Sequence, residues 1–179
     1  MPAVVSHPIR IRRARSDDVE LLLSIQRASA VEAFPQVFPP ERYPFPDDEV
    51  RAAWTEALAS HDVQTFIAES RGTSVGLVAI EGDYLRTLYV IPTAQRQGVG
   101  GALIDFAIER LKASGVRTAK FWTLEANARA RSFYERRGWR LTDETRKVAF
   151  PHIRSTSDTR RPSTELGRRR TPHSFSLRG

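Results

Sequence analysis

Three glycines within four residues, Gly98, Gly100 and Gly101, separate a strand-like run from a helix-like run, and this junction restricts the fold more than any other stretch. Leu88-Tyr89-Val90-Ile91 is β-branched and aromatic enough for a strand, and Pro92 ends it because proline has no N–H for the ladder. After the glycines, Ala102, Leu103, Ile104, Phe106, Ala107, Ile108 and Leu111 recur at helical spacing on one broad face. The glycines therefore stand at a helix N-terminus. With no Cβ in the way, a ligand can approach the backbone, and the unsatisfied N–H groups and positive end of the helix dipole favour a phosphate or pyrophosphate.

The spacing excludes two common phosphate turns. A P-loop requires a Lys after its last glycine, and none follows here. A dinucleotide fingerprint requires a third small residue where Leu103 stands, and an acid about twenty residues on, where Lys120 and Phe121 stand. What remains is Gln95-x-x-Gly98-x-Gly100 behind a strand ending Val90-Ile91-Pro92.

Around this junction, strand and helix patterns alternate. Ile9–Arg15 alternates like an edge strand, and Ser16 is a plausible N-cap for a helix with Val19, Leu22, Leu23 and Ile25 on its core face. Phe34 to Pro46 crowds four aromatics among prolines and reads as a loop. Asp47 caps a second helix, with Val50, Trp54, Ala57 and Leu58 on one side. Val63–Glu69 and Ser74–Glu81 flank Ser70-Arg71-Gly72-Thr73 as an antiparallel hairpin. The second of these runs is apolar on both faces and suits a central strand. Gly82-Asp83 leads into the strand Tyr84–Ile91, Gly115 closes the next helix, Val116–Leu124 is another strand, and Asn127 opens a short helix ended by Gly138.

With 179 residues and 40% hydrophobic content, the chain suits one globular domain. Its longest apolar runs fall far short of the roughly 18 residues a membrane span requires, and Met1–Ile9 lacks the apolar core of a signal peptide. The absence of cysteine excludes a disulfide framework, a thiolate metal site and a cysteine nucleophile, and no metal is expected. Cytoplasmic residence is the default expectation. The net charge of +7 suggests nucleic acid until it is divided along the chain. From Pro151 onward seven arginines face only Asp158 and Glu165, which leaves +2 for residues 1–150. Residues 151–179 therefore read as a basic, flexible tail on a domain spanning 1–150, and nucleic-acid binding is not the favoured partner class.

A second pattern lies in Asn127-x-x-Ala130-x-x-Phe133-Tyr134-Glu135-x-x-Gly138-Trp139. Together with Gln95-x-x-Gly98-x-Gly100, in this order and spacing, it resembles the GNAT superfamily of acetyl-CoA-dependent N-acetyltransferases. The likeness spans roughly residues 9–145. It implies an α/β fold with a mixed, mostly antiparallel sheet of six or seven strands, about four helices, and two parallel strands, Tyr84–Ile91 and Val116–Leu124, that splay apart. It also implies acetyl-CoA as co-substrate and an amine acceptor, either a small molecule or a peptide, and it leaves a homodimer open. Pantetheine would pair with the backbone of Leu88, Tyr89 and Val90, and pyrophosphate with the N–H groups of Arg96, Gln97, Gly98, Val99, Gly100 and Gly101. Gln95 and Arg96 would add side-chain contacts. Asn127 would reach the pantetheine or cap its own helix, and the residues leave both roles open.

The likeness also assigns roles in catalysis. A thiolate leaving group needs a proton, and Tyr134 occupies the position where the family commonly places that acid; packing beside Phe133 is the alternative. Glu81 and Glu125 are candidate bases, acting directly or through water, although such a residue is more often a surface carboxylate. The oxyanion would be held by a backbone N–H near Val90, freed by a bulge. No histidine falls in either motif. Phe34, Phe38, Tyr43 and Phe45 are candidate acceptor contacts, with Glu32, Glu41 and Asp47 near enough to attract a cationic amine. At the other end, Val148 and Phe150 break the parity set by Trp139 and Leu141, and the sequence gives no evident final strand. Beside N-acetyl transfer stand two further readings: a coenzyme-binding module without turnover, and a nucleic-acid or partner-binding protein acting through the arginine tail.

Overall fold

The computed structural model describes residues 8–33, 44–124, 127–145 and 172–178. They group into two compact units, Met1–Phe121 with Arg178–Gly179 and Trp122–Leu177. Across both, the described residues contain seven strands and four α-helices.

The first unit begins with β1 (Arg10–Arg13), whose register on β2 (Val63–Ser70) sets Ile11 opposite Ala68. The expected cap at Ser16 is corrected. Ser16–Asp18 is a 3-10 turn with no side-chain cap bond, and Asp18 instead accepts the Arg15 backbone N–H at 2.7 Å and the Arg12 guanidinium at 2.7 and 2.8 Å. A carboxylate outcompetes a hydroxyl because the charged pair makes the stronger bonds. Arg12 holds the Asp18 carboxyl below its ordinary range and also bonds Glu69 at 2.7 Å, which ties β1, β2 and the turn together.

Next come α1 (Val19–Ala33) and α2 (Asp47–Ala59), which put Leu22, Ile25, Trp54 and Ala57 onto Val63, Ile67, Leu77 and Ala79 of the sheet. Asp47 is the first helical residue of α2 rather than its cap, and its carboxylate bonds Arg27 of α1 at 2.8 Å. The hairpin from β2 to β3 (Thr73–Glu81) turns through Arg71 and Gly72, with φ of 53° and 74°. Two left-handed residues in a two-residue loop match the right-handed twist of the flanking strands.

β4 (Tyr84–Val90) runs antiparallel to β3, with Leu77 opposite Tyr89. β5 (Thr118–Leu124) runs parallel to β4, with described pairs at Tyr84–Lys120 and Leu85–Phe121. Between them in sequence, α3 (Val99–Ala113) lies on the sheet face opposite α1 and α2, where Phe106 meets Phe66 edge-on at 4.8 Å between centroids. It ends on Gly115, φ 82°, with bonds from Gly115 N to Lys112 O at 2.9 Å and Val116 N to Leu111 O at 3.0 Å, the Schellman pattern.

In the second unit, α4 (Ala128–Glu135) is closed by Gly138, φ 84°, with Trp139 N donating to Tyr134 O at 3.1 Å. β6 (Arg140–Thr145) pairs antiparallel with β7 (Pro172–Arg178), with Arg140 opposite Ser176 and Leu141 opposite Phe175. This corrects the expectation for the tail at its end, because a final strand is present. The register shifts between Leu141 and Thr145, near the parity break expected from the sequence.

Candidate functional site

The glycine junction folds as an open helix start. Pro92–Ala94 forms a 3-10 turn, Arg96 and Gly98 take left-handed φ of 60° and 86°, and α3 begins at Val99. Gly98 enters the helix with no side-chain cap, and a Cβ placed on it would meet nothing within 4 Å. Backbone turns containing left-handed residues build anion-binding concavities. A pyrophosphate fits these residues, since free space and uncapped helix N–H groups coincide there.

Two side chains of this loop bond back to its own backbone. Gln95 Nε2 donates to Val90 O at 3.1 Å and Gln97 Nε2 to Thr93 O at 2.7 Å, so both amides pin the turn to itself. Arg96 stays exposed. The Val90 carbonyl thus already has one donor from its own chain.

β4 carries its irregularity away from Val90. Ala79 stands opposite Thr87, yet Ile80 stands opposite Leu85, which makes Arg86 the extra residue of a bulge. The expected bulge in this strand is present, at Arg86, while Val90 keeps regular register opposite Gly76. Parity explains the position. Thr87 and Tyr89 face α1 and α2 with Ala79 and Leu77, while Leu85, only 1% exposed, must join Ile80 on the α3 face. One inserted residue reconciles the two demands, and bulges re-aim side chains in this way.

The consequence is a cleft of about 220 Å³ lined by Gln26, Val50, Ala53, Trp54, Ala57, Arg86, Thr87 and Tyr89. Trp54 Nε1 donates to Gln26 Oε1 at 2.8 Å. Burial of the Tyr89 phenol raises its pKa, and a hydrogen bond with Thr87 acts the other way. Arg86 bonds Glu81 Oε2 at 2.8 Å, with both side chains nearly half exposed. Glu81 is therefore held by a guanidinium rather than standing alone as a base. Of the expected acceptor contacts, Phe34, Phe38 and Tyr43 lie outside the described residues, as does Glu125. Phe45 is half-buried just ahead of α2 and does not line this cleft. Sequence reasoning missed Gln26, Trp54, Arg86 and Thr87. The signal was the parity conflict between Leu85 and Thr87.

In the second unit, Asn127 Oδ1 accepts the Ala130 N–H at 3.0 Å, so its capping role is realised. Tyr134 is 3% exposed, with Phe133 and Trp139 edge-on at 5.2 and 5.6 Å between centroids. Among the described residues no group of three or more His, Cys, Asp or Glu could hold a metal, and no helix is long and apolar enough to cross a membrane.

Residues 36–155 match the family model described as the acetyltransferase (GNAT) domain. The chain is 26% identical over 117 residues to Probable N-acetyltransferase Rv2775 of Mycobacterium tuberculosis, covering 58% of this chain and 66% of that protein's length. It is 27% identical over 137 residues to the peptidyl-lysine N-acetyltransferase YjaB of Salmonella typhimurium, covering 75% of this chain and 85% of that one. The PaiA N-acetyltransferase of Thermoplasma acidophilum, solved in complex with coenzyme A, superposes with a TM-score of 0.67 at 16% identity, covering 96% of this chain and 99% of that one. The chain belongs to the GNAT acetyltransferase family.

Proposed function

We propose that the chain is an N-acetyltransferase that moves an acetyl group from acetyl-CoA to a primary amine by direct attack, with both substrates bound. The observation that carries this reading is the uncapped start of α3 at Gly98, on a chain whose family is defined by acetyl transfer. On this reading the N–H groups from Arg96 to Gly101 hold the pyrophosphate, and the backbone of Leu88, Tyr89 and Val90 aligns the pantetheine. The amine nitrogen forms a bond to the thioester carbon, the C–S bond breaks, and the sulfur takes a proton that Tyr134 supplies. A lysine-like amine is protonated at pH 7, which costs roughly 4–5 kcal/mol of reactivity, so a group that removes its proton is worth having. Glu81 and Glu125 remain the candidates, Glu81 with its partner Arg86 holding it in place.

The Salmonella relative supports the reaction class by its name, peptidyl-lysine N-acetyltransferase. Calorimetry with acetyl-CoA tests the coenzyme site, and release of free thiol in the presence of an amine panel tests turnover. Binding with amine-dependent thiol release is expected. Binding without release from any amine would leave a coenzyme-binding module, and no heat with acetyl-CoA would overturn both readings.

A further inference from the structure

The cleft beside β4 has a charge pattern that bears on the acceptor. Among the described residues, Arg86 is its one charged lining residue and no Asp or Glu lines it. Of the carboxylates flanking its helical wall, Asp47 is held by Arg27 and both Glu20 and Asp48 by Arg51, while Glu49 and Glu56 are exposed and outside its lining. Gln26 adds a second donor. Indole N–H can only donate, so the bond from Trp54 fixes Gln26 Oε1 toward the indole and leaves the Gln26 NH₂ group free to donate. Glu81 engages one Nη atom of Arg86, and a guanidinium carries five N–H donors in a fixed fork. The bulge turns this pinned, half-exposed cation onto the same side as Thr87.

Resting on the acetyltransferase reading, we infer that the acceptor is a small amine that also bears a carboxylate, and that Arg86 with Gln26 binds that carboxylate. A guanidinium meets a carboxylate through paired, charge-assisted bonds, whereas a second ammonium would meet Arg86 with like charge. Arg86 lies two residues before Leu88, about 7 Å along an extended strand. The reacting amine and the carboxylate are therefore separated by several bonds, as in an ω-amino acid, and Glu81, held on Arg86, then stands at the carboxylate end, which leaves the base to another group.

Three probes of matched length test this: 6-aminohexanoate, hexylamine and 1,6-diaminohexane. Their binding to the full chain saturated with coenzyme A is measured by calorimetry, and their acetylation by thiol release from acetyl-CoA. The wild type is expected to bind 6-aminohexanoate at least tenfold more tightly than the other two. Arg86→Gln should collapse that preference to within twofold, and Arg86→Lys should retain part of it. Coenzyme affinity and melting temperature serve as controls for folding. Preference for the diamine, equal or absent binding of all three, or a preference that survives Arg86→Gln would overturn the inference. If 6-aminohexanoate binds with the expected preference but neither it nor any other amine is acetylated, the acetyltransferase reading fails while the carboxylate site stands.

Discussion

The helices α3 and α4 both follow a strand, and they begin in opposite ways. α4 is entered through Asn127, whose side-chain oxygen accepts the Ala130 N–H at 3.0 Å. α3 is entered through Gly98, which offers no side chain to any N–H of its first turn. A helix start leaves up to four N–H groups without intrahelical partners, and a capping side chain is the ordinary way to satisfy them. One start therefore completes itself. The other has no side-chain cap, and the proposed pyrophosphate site rests on that contrast more than on glycine content.

The sharpest way to break this comparison is Gly98→Asp. A carboxylate at the proposed pyrophosphate position should weaken acetyl-CoA binding by about a hundredfold, read by calorimetry. The φ of 86° adds about 1 kcal/mol of strain for a side chain. Gly98→Asn, which tolerates the left-handed region and adds no charge, should weaken binding by only about tenfold. Equal losses in both variants would mean that shape rather than charge is read there.

Tyr134→Phe comes next, because it tests whether the self-capped helix contributes chemistry beyond its frame. The expected result is a fall in kcat of about tenfold or more, with coenzyme affinity within twofold. An unchanged kcat would leave Tyr134 with its packing against Phe133 and Trp139. Asn127→Ala should cost about 1 kcal/mol, a drop of about 2–4 °C in melting temperature, while acetyl-CoA binds as before. A large loss of affinity there would erase the distinction between the two helix starts. The smallest effect belongs to Arg96→Gly. Relief of a left-handed non-glycine residue roughly offsets the entropy glycine loses on folding, so stability should change by less than about 1 kcal/mol. Affinity for acetyl-CoA should fall about threefold through the lost charge, measured at low and high salt.

The sequence was most informative where interactions are local. The Arg71-Gly72 turn, the glycine end of α3, and Asn127 at the start of α4 each depend on residues within a few positions of one another, and each is found as its spacing suggests. Non-local pairing was harder to read. Phe175 and Leu177 alternate with Ser174 and Ser176, which is a strand pattern, but the arginine-rich stretch before it obscured the partner β6. The cleft was hidden for a related reason. Arg86 faces it only because β4 slips one residue against β3, and register is a property of two strands rather than one. Glu81 illustrates a third limit, since a carboxylate that reads as a candidate base proves to be paired across the turn with Arg86.

Gly76 carries a consequence for how the coenzyme is measured along its length. A Cβ there would come within 2.7 Å of the Tyr89 carbonyl and within 3.0 and 3.3 Å of side-chain atoms of Leu103 and Val99. The missing side chain lets β3, β4 and the first turns of α3 close to contact distance, so the phosphate cradle and the β4 edge are set at a fixed separation. On the proposed coenzyme path this spacing is a ruler with its zero at the phosphates. The thioester falls at a reactive mark only while that spacing is kept. Gly76→Ala should lengthen the ruler by a few tenths of an ångström, and the misalignment should lower kcat more than it lowers coenzyme affinity.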